Sequence, residues 1–264
     1  MGVLNITPDS FSDGGLFFSR EKAVVQALAM EADGADIIDI GGESTRPYAE
    51  EVSLEQELER VVPVIEDLAK VVRIPLSIDT YKAKVAKSAV KAGAAIINDI
   101  SALRFDPDMA LVAKDSNVPL IIMHMKGTPG DMQNNPVYED IMREIKTFFS
   151  EVIEKAEAEG IAREMLIIDP GIGFGKSFDH NLQIIRDLRE LEDLGLPVLL
   201  GSSRKAFIGK ILDNSPEERD TGTMATIAAG ILNGAHIVRV HNVGMAKETV
   251  KVVDAIMAGE NINT

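Results

Sequence analysis

Polar residues that could do chemistry stand where short apolar runs of the chain end. The runs are rich in isoleucine, valine and leucine, which is typical of buried strands. The polar residues are Asn5, Asp39, Asp79, Asn98, His124, Asp169, Ser202, Ser203, Arg239 and His241. One such residue is explained by loop capping. So many at one edge favour a shared polar pocket, because buried polar groups are costly unless satisfied.

Three of these residues form a set of hydrogen-bond acceptors. Alternation along the strands lets Asp79, Asn98 and Asp169 point inward. Two carboxylates and an amide carbonyl suit a heterocycle that carries N–H groups, such as the 2-amino-4-oxo edge of a pterin or guanine. The alternative is that each acid only caps its loop.

The cations form a second cluster. Arg204 and Lys205 follow Gly201, Ser202 and Ser203 at the start of a predicted short helix. Arg46 is predicted in the loop after the second strand, and Arg239 and His241 end the last strand. Free N–H groups at a helix start, serine hydroxyls and cations favour a phosphate or diphosphate site. The alternative is that Arg239 and Lys205 pair with acids on the rim.

The glycine-rich segment 171–177 resembles a nucleotide-binding loop but misses both common patterns by one residue, at Pro170 and at Lys176. A turn that lets backbone approach a ligand is the remaining interpretation. No His, Asp and Glu spacing suits zinc. A magnesium ion held mainly by substrate phosphates needs only one or two protein ligands. His180 and His236 are predicted to be structural.

The elements that must position these residues alternate between strand and helix. We predict eight strands, at 1–6, 36–40, 76–80, 95–100, 119–123, 165–169, 197–201 and 236–241. A helical pattern follows each strand, and capping boxes are predicted at Ser53 with Gln56 and at Ser215 with Glu218. This is the rhythm of an α/β fold, a single-domain (β/α)8 TIM barrel over 1–264. A doubly wound open sheet is the alternative. Segments 7–20 and 42–53 are predicted to be loops.

Composition narrows the classes of partner. The 264 residues include 27 Lys and Arg, 42 Asp and Glu, and no cysteine, with a formal net charge of −15. That field repels nucleic acid and anionic membranes, so we expect neither as a partner. No apolar run is long enough for a transmembrane helix, and the start of the sequence lacks a signal-peptide pattern. We expect a cytoplasmic protein.

Eight motifs carry a resemblance to a known family. They are MGVLNITPDSFSDGG at 1–15, GADIIDIGGESTRP at 34–47, SIDT at 77–80, INDI at 97–100, MHM at 123–125, DPGIGFGK at 169–176, SSRK at 202–205 and RVH at 239–241. In this order and spacing, the chain resembles the dihydropteroate synthase family of pterin-binding enzymes. The resemblance implies a transferase of folate biosynthesis, which condenses (7,8-dihydropterin-6-yl)methyl diphosphate with 4-aminobenzoate and releases diphosphate.

The resemblance also implies roles for residues. Asp79, Asp169 and Lys205 would be catalytic and, with Asn98, would hold the pterin, while Met123 and Phe174 would line its slot. Arg239 and His241 would hold the diphosphate together with Asn5, which would also bind Mg²⁺. Thr45 and Arg46 would lie on a loop that closes the site. Phe11, Pro47 and Ser203 would help to form the 4-aminobenzoate pocket, which sulfonamides also occupy. A homodimer is implied as well.

Three other functions stay open at this point. A folate-binding methyltransferase on a similar barrel would keep the acids but have little use for Arg239, His241 and the SSRK segment. An aldolase would use Lys205 as a Schiff base. A pterin-binding protein without activity would lack a motif residue, and none of the quoted residues is missing.

Overall fold

The structure is a computed structural model that describes residues 1–6, 15–44, 51–128, 130, 132 and 136–259, without the side chains of 15–19. Its strands are β1 (Gly2–Asn5), β2 (Ile38–Gly41), β3 (Leu76–Asp79), β4 (Ile96–Asp99), β5 (Leu120–Met123), β6 (Leu166–Asp169), β7 (Leu199–Leu200) and β8 (Ile237–Val238). All eight predicted strands are present, each shorter than predicted.

Helices alternate with the strands. They are α1 (Gly15–Ala32), α2 (Leu54–Val71), α3 (Ala83–Ala92), α4 (Met109–Ser116), α5 (Ile141–Ala158), α6 (Phe178–Arg186), α7 (Ala206–Leu212), α8 (Asp220–Leu232) and α9 (Val243–Ala258). The capping box of Ser53 and Gln56 starts α2. The box of Ser215 and Glu218 starts a 3-10 turn instead, over Pro216–Glu218.

The strands are parallel and form a closed ring. β1 to β6 pair in sequence order, and β7 pairs with β8. Isolated bridges join the two sheets, from Ile168 to Val198 and from Gly2 to Val240. The fold is therefore the predicted TIM barrel rather than an open sheet.

Apolar side chains form one layer outside the ring of strands and one layer inside it. Alternate strand residues, such as Ile97, Ile122 and Ile168, belong to the core between barrel and helices. The residues between them fill the barrel interior: Met1, Ile37, Ile96, Ile121, Ile167, Leu199 and Ile237. Since Ile96 and Ile167 face inward, Asn98 and Asp169, two residues further along, face inward too.

One segment predicted as a loop is partly helical. α1 begins at Gly15, inside the segment 7–20 that we predicted as a loop. No proline or glycine separates Leu16 from the helical pattern that follows, so the helix extends back to this point. Residues 7–14, 45–50 and 260–264 lie outside the described residues. The single domain over 1–264 therefore stays a prediction.

No helix within the described ranges is long and apolar enough to cross a membrane.

Candidate active site

A network of buried and partly buried polar side chains lies at the carboxyl ends of the strands. Arg239, just after β8, donates from Nε to Oδ2 of Asp39 at 2.6 Å and from Nη2 to Oδ2 of Asp79 at 2.7 Å. Asn98 donates from Nδ2 to the same oxygen of Asp39 at 3.0 Å. One guanidinium thus ties β8 to β2 and β3 in the barrel mouth.

Burial sets the protonation of this network. It raises the pKa of Asp79 to about 7, against the attraction of Arg239 and with added repulsion from Asp39. Burial also opposes the charge on Arg239, but Asp39 and Asp79 outweigh it and raise the pKa of the guanidinium. The pair therefore holds a permanent cation beside a carboxyl group that titrates near neutral pH.

Asn5 lies next to this network. A Cβ atom built on Gly41 would lie 3.7 Å from Oδ1 of Asn5 and 3.8 Å from Oδ2 of Asp79. The strand register agrees, because Asn5 pairs with Gly41 and Gly41 with Asp79. A side chain at position 41 would contact both oxygens, so glycine leaves them uncovered on this side.

Asp169 is buried at the end of β6. Its Oδ1 accepts from the backbone N–H of Gly171 at 2.7 Å. Burial raises the pKa of Asp169, while the Gly171 hydrogen bond and the charge of Lys205 act in the opposite direction. A carboxylate held in this way offers its second oxygen to a ligand.

The segment after Asp169 lies directly on the end of β5. Gly171 has a φ of +70°, and a Cβ atom there would lie only 2.1 Å from the carbonyl oxygen of His124. Glycine is required for this close approach. The glycine-rich segment therefore shapes the rim of the barrel rather than a nucleotide loop.

Lys176 holds the same segment in place through hydrogen bonds of its side chain. Its buried Nζ contacts the carbonyl oxygens of His124 and Phe174 at 3.1 and 2.9 Å and Nδ1 of His124 at 2.9 Å. Burial lowers the pKa of Lys176 well below the ordinary value, although Asp169 opposes this shift. Burial, with the charge of Lys176, lowers the pKa of His124 to about 2.

Lys205 and Phe174 meet over the mouth. Nζ of Lys205 lies 4.2 Å from the centre of the Phe174 ring. Met123 is buried in an apolar cluster that Phe174 packs against, together with Ile100, Met125 and Met132. An apolar wall with a cation at its edge suits a flat aromatic ring.

Ser203 holds His241 in place. Oγ of Ser203 accepts from the backbone N–H of His241 at 3.2 Å and lies 2.9 Å from its Nδ1. The neighbouring Arg204 instead pairs with Asp220, at 2.7 and 3.0 Å. The SSRK segment therefore brings Ser203 and Lys205 to the mouth, with Arg204 engaged by α8.

The structure thus brings together ten of the predicted residues, which are Asn5, Asp79, Asn98, Met123, Asp169, Phe174, Ser203, Lys205, Arg239 and His241. Thr45, Arg46, Phe11 and Pro47 lie outside the described residues. His180 and His236 are structural as predicted: His180 completes a capping box with Ser177, and Nδ1 of His236 accepts from the N–H of Val198.

Two residues were not assigned to the site from the sequence. Asp39 was noted at a strand end, but its bonds to Arg239 and Asn98 span 200 and 59 positions, which no local pattern reveals. In the sequence, Lys176 stands out only as part of a glycine-rich segment. The feature that could have pointed to its role is a single lysine among glycines and apolar residues.

Comparison with known proteins identifies the family. A family model for pterin binding enzymes matches residues 1–241. The dihydropteroate synthase of Synechocystis is 51% identical over 257 residues, which are 97% of this chain and 89% of that protein.

Solved structures agree. The dihydropteroate synthase of Yersinia pestis, in complex with a sulfonamide drug, has a TM-score of 0.93 and 45% identity, covering 98% of this chain and 94% of that one. The Xanthomonas albilineans enzyme with 4-aminobenzoic acid has a TM-score of 0.92 and 46% identity, covering 98% and 92%. This chain belongs to the pterin binding enzyme family, among the dihydropteroate synthases.

Proposed function

We propose that this chain condenses (7,8-dihydropterin-6-yl)methyl diphosphate with 4-aminobenzoate, giving 7,8-dihydropteroate and diphosphate. The activity is that of a transferase in folate biosynthesis. One observation carries the proposal: acceptors and cations for both halves of the pterin diphosphate converge in one barrel mouth.

The pterin occupies the side of Asp79, Asn98 and Asp169. Their oxygens accept from the N–H groups of the ring, while Met123 and Phe174 pack against its face and Lys205 donates at its edge. The closeness of Lys205 to Phe174, at 4.2 Å, supports this arrangement. The same acids stabilise positive charge that develops on the electron-rich ring.

The diphosphate occupies the side of Arg239 and His241. With Nε and one Nη2 hydrogen of Arg239 engaged by carboxylates, its remaining N–H groups are available to phosphate oxygens. Ser203 fixes the ring of His241 for the same task. Thr45 and Arg46, which lie outside the described residues, stay assigned to this site by the family resemblance alone.

The reaction forms one bond and breaks one. The amine nitrogen of 4-aminobenzoate bonds to the pterin methylene carbon, and the C–O bond to diphosphate breaks, with the electron pair leaving on oxygen. The amine nitrogen then releases one proton to water or to the departing diphosphate. An aromatic amine is nucleophilic when neutral, so no strong general base is required. An SN1-like path follows if the C–O bond breaks first.

Mg²⁺ is part of the proposal. Among the described residues, no group of three or more His, Asp and Glu could hold a metal by itself. Oδ1 of Asn5, which lies close to Gly41 and Asp79, is the hard oxygen donor that Mg²⁺ accepts along with substrate phosphates. When bound, the ion neutralises charge on the leaving group.

We also propose a cytoplasmic homodimer. Large apolar side chains are exposed on the last three helices, among them Ile211, Leu232, Val252 and Ile256. Sedimentation at several protein concentrations tests the dimer.

A sulfonamide is expected to compete with 4-aminobenzoate.

The direct test mixes the protein with dihydropterin diphosphate, 4-aminobenzoate and Mg²⁺ and detects dihydropteroate by mass. Product is expected with all components and is lost without 4-aminobenzoate, while Asp169→Asn forms far less. Pterin binding without product would favour a pterin-binding protein without activity. Product at the normal rate in Asp169→Asn would contradict the site.

A further inference from the structure

Asp39 sits beneath the predicted pterin ligands, inside the barrel. It is fully buried on β2, and one of its oxygens, Oδ2, receives both the Nε–H of Arg239 and the Nδ2–H of Asn98. Its other oxygen has no hydrogen-bond partner among the described residues. Asp39 therefore acts on its neighbours through a single oxygen.

That oxygen can only accept. A guanidinium is a donor under all ordinary conditions, so the atom of residue 39 that faces Arg239 must be an acceptor. The same atom then faces Asn98, whose side chain has a donating and an accepting end. Only the Nδ2 end can face Asp39, so the carbonyl oxygen of Asn98 is turned away from it.

We propose that Asp39 is a positioning residue that fixes the orientation of the Asn98 amide and thereby makes the site select a ligand edge that donates hydrogen bonds. The inference rests on the proposed function, because it takes Asn98 as a pterin ligand. It assigns the choice between an amino and an oxo group on the ligand to a residue that does not touch the ligand.

The selectivity follows from the fixed amide. Asn98 Oδ1, with the carboxylates of Asp79 and Asp169, meets the 2-amino edge of a pterin with acceptors. An edge that carries an oxo group instead would face acceptor against acceptor, and a buried acceptor without a donor is destabilised. A freely rotating Asn98 could turn its NH₂ group to that oxo group and reduce the difference.

The test compares two probes by calorimetry: pterin, which carries the 2-amino group, and lumazine, in which an oxo group replaces it. The measured quantity is the ratio of their dissociation constants. Asp39→Asn keeps an acceptor oxygen for Arg239 and Asn98, so we expect the wild-type ratio within about 3-fold. Asp39→Ala removes the acceptor, and the preference for pterin should fall roughly 10-fold. Asp36→Ala is the matched control, because exposed Asp36 pairs only with Lys247 in the described contacts.

A double-mutant cycle shows whether Asp39 acts through Asn98. Asn98→Ala should reduce the preference about as much as Asp39→Ala, and the double variant should reduce it no further. Equal losses in Asp39→Asn and Asp39→Ala would assign the effect to charge and overturn the inference. An unchanged ratio in Asp39→Ala, or additive effects in the double variant, would also overturn it.

One measurement needs no variant at Asp39. The side-chain amide protons of Asn98, assigned in NMR spectra by their loss in Asn98→Ala, should exchange slowly both before and after pterin binds. Fast exchange in the empty site would refute the fixed amide. A wild-type protein that neither binds pterin nor forms product would instead contradict the proposed function, which keeps the two failures apart.

Discussion

Asp79 and Arg239 stand 160 positions apart in the chain, yet Nη2 of Arg239 donates to Oδ2 of Asp79 at 2.7 Å. β1 and β2 lie between their strands, so closure of the barrel creates the contact. Both side chains are partly buried, and this burial raises the pKa of Asp79 to about 7 despite the guanidinium.

Pterin affinity should therefore depend on pH through Asp79. The ionised carboxylate accepts hydrogen bonds from ring N–H groups, and the protonated acid has less capacity to accept. The affinity for pterin should therefore increase as pH rises, with an inflection near pH 7. Fluorescence titration between pH 5.5 and 8.5 measures this. Asp79→Asn should bind more weakly and lack the inflection. The same inflection in Asp79→Asn would assign it to another group.

Stability should show the opposite trend. Between about pH 4 and 7 the folded protein keeps a proton on Asp79 that the unfolded chain has released. The free energy of unfolding should therefore fall as pH rises, by at most about 1.4 kcal/mol per pH unit. Urea unfolding measures the slope, and Asp79→Asn should lose this contribution. An identical slope in both proteins would contradict the raised pKa.

Arg239→Lys should weaken diphosphate binding roughly 10–100-fold. Lysine is a point charge and cannot reach both Asp39 and Asp79 in the geometry of a guanidinium, so at least one carboxylate remains uncompensated near the anion. Calorimetry with diphosphate gives the affinity. Arg186→Lys, on an exposed arginine paired with Asp187, is the control and should change little. Equal behaviour of both variants would remove Arg239 from the diphosphate site.

Gly171→Ala and Gly195→Ala form a matched pair, because both glycines have a positive φ, of +70° and +65°. An added Cβ at Gly171 would lie 2.1 Å from the His124 carbonyl oxygen, whereas at Gly195 nothing lies within 4 Å. Gly195→Ala should cost about 1 kcal/mol. Gly171→Ala should cost several kcal/mol and weaken pterin binding, because Asp169 also depends on the Gly171 N–H. Thermal and urea unfolding give the comparison. Equal costs would mean that the segment moves away easily.

Lys176→Met should change how stability depends on pH. The pKa of Lys176 is well below its ordinary value in the folded state, so above that lowered pKa and up to about pH 10.5 the unfolded chain holds a proton that the folded protein does not. The stability of the wild type relative to Lys176→Met should then increase with pH, by at most about 1.4 kcal/mol per unit. Urea unfolding at pH 7 and 10 measures the difference. Lys87→Met, on an exposed lysine, is the control. A flat difference for Lys176→Met would contradict the lowered pKa of Lys176.

The sequence was sufficient to predict the barrel because each strand is marked by a local sequence pattern. Runs such as 76–80 and 165–169 combine β-branched residues with a polar end, and both became strands. The inward orientation of Asn98 and Asp169 also followed from alternation. β7 and β8 are only two residues long, since regular pairing there stops early and bridges at Val198 and Val240 continue the ring.

The contacts between side chains within the site could not be predicted from the sequence. Whether Arg239 pairs with an acidic side chain or is left to bind a ligand phosphate depends on which strands become neighbours at the barrel mouth. The sequence left both possibilities open, and the structure adds Asp39 and Asp79 as its partners. Lys176 was missed because two of its three partners are backbone carbonyls, which carry no residue signature.

The interior of the barrel has a consequence for how the protein can evolve. A single layer of apolar side chains, with Ile96, Ile121 and Ile167 among them, lies directly under the polar residues of the mouth. A smaller residue in that layer would leave a void, and the residues above it would settle by a fraction of an ångström. Stability and ligand selectivity therefore share the same few side chains and are expected to change together.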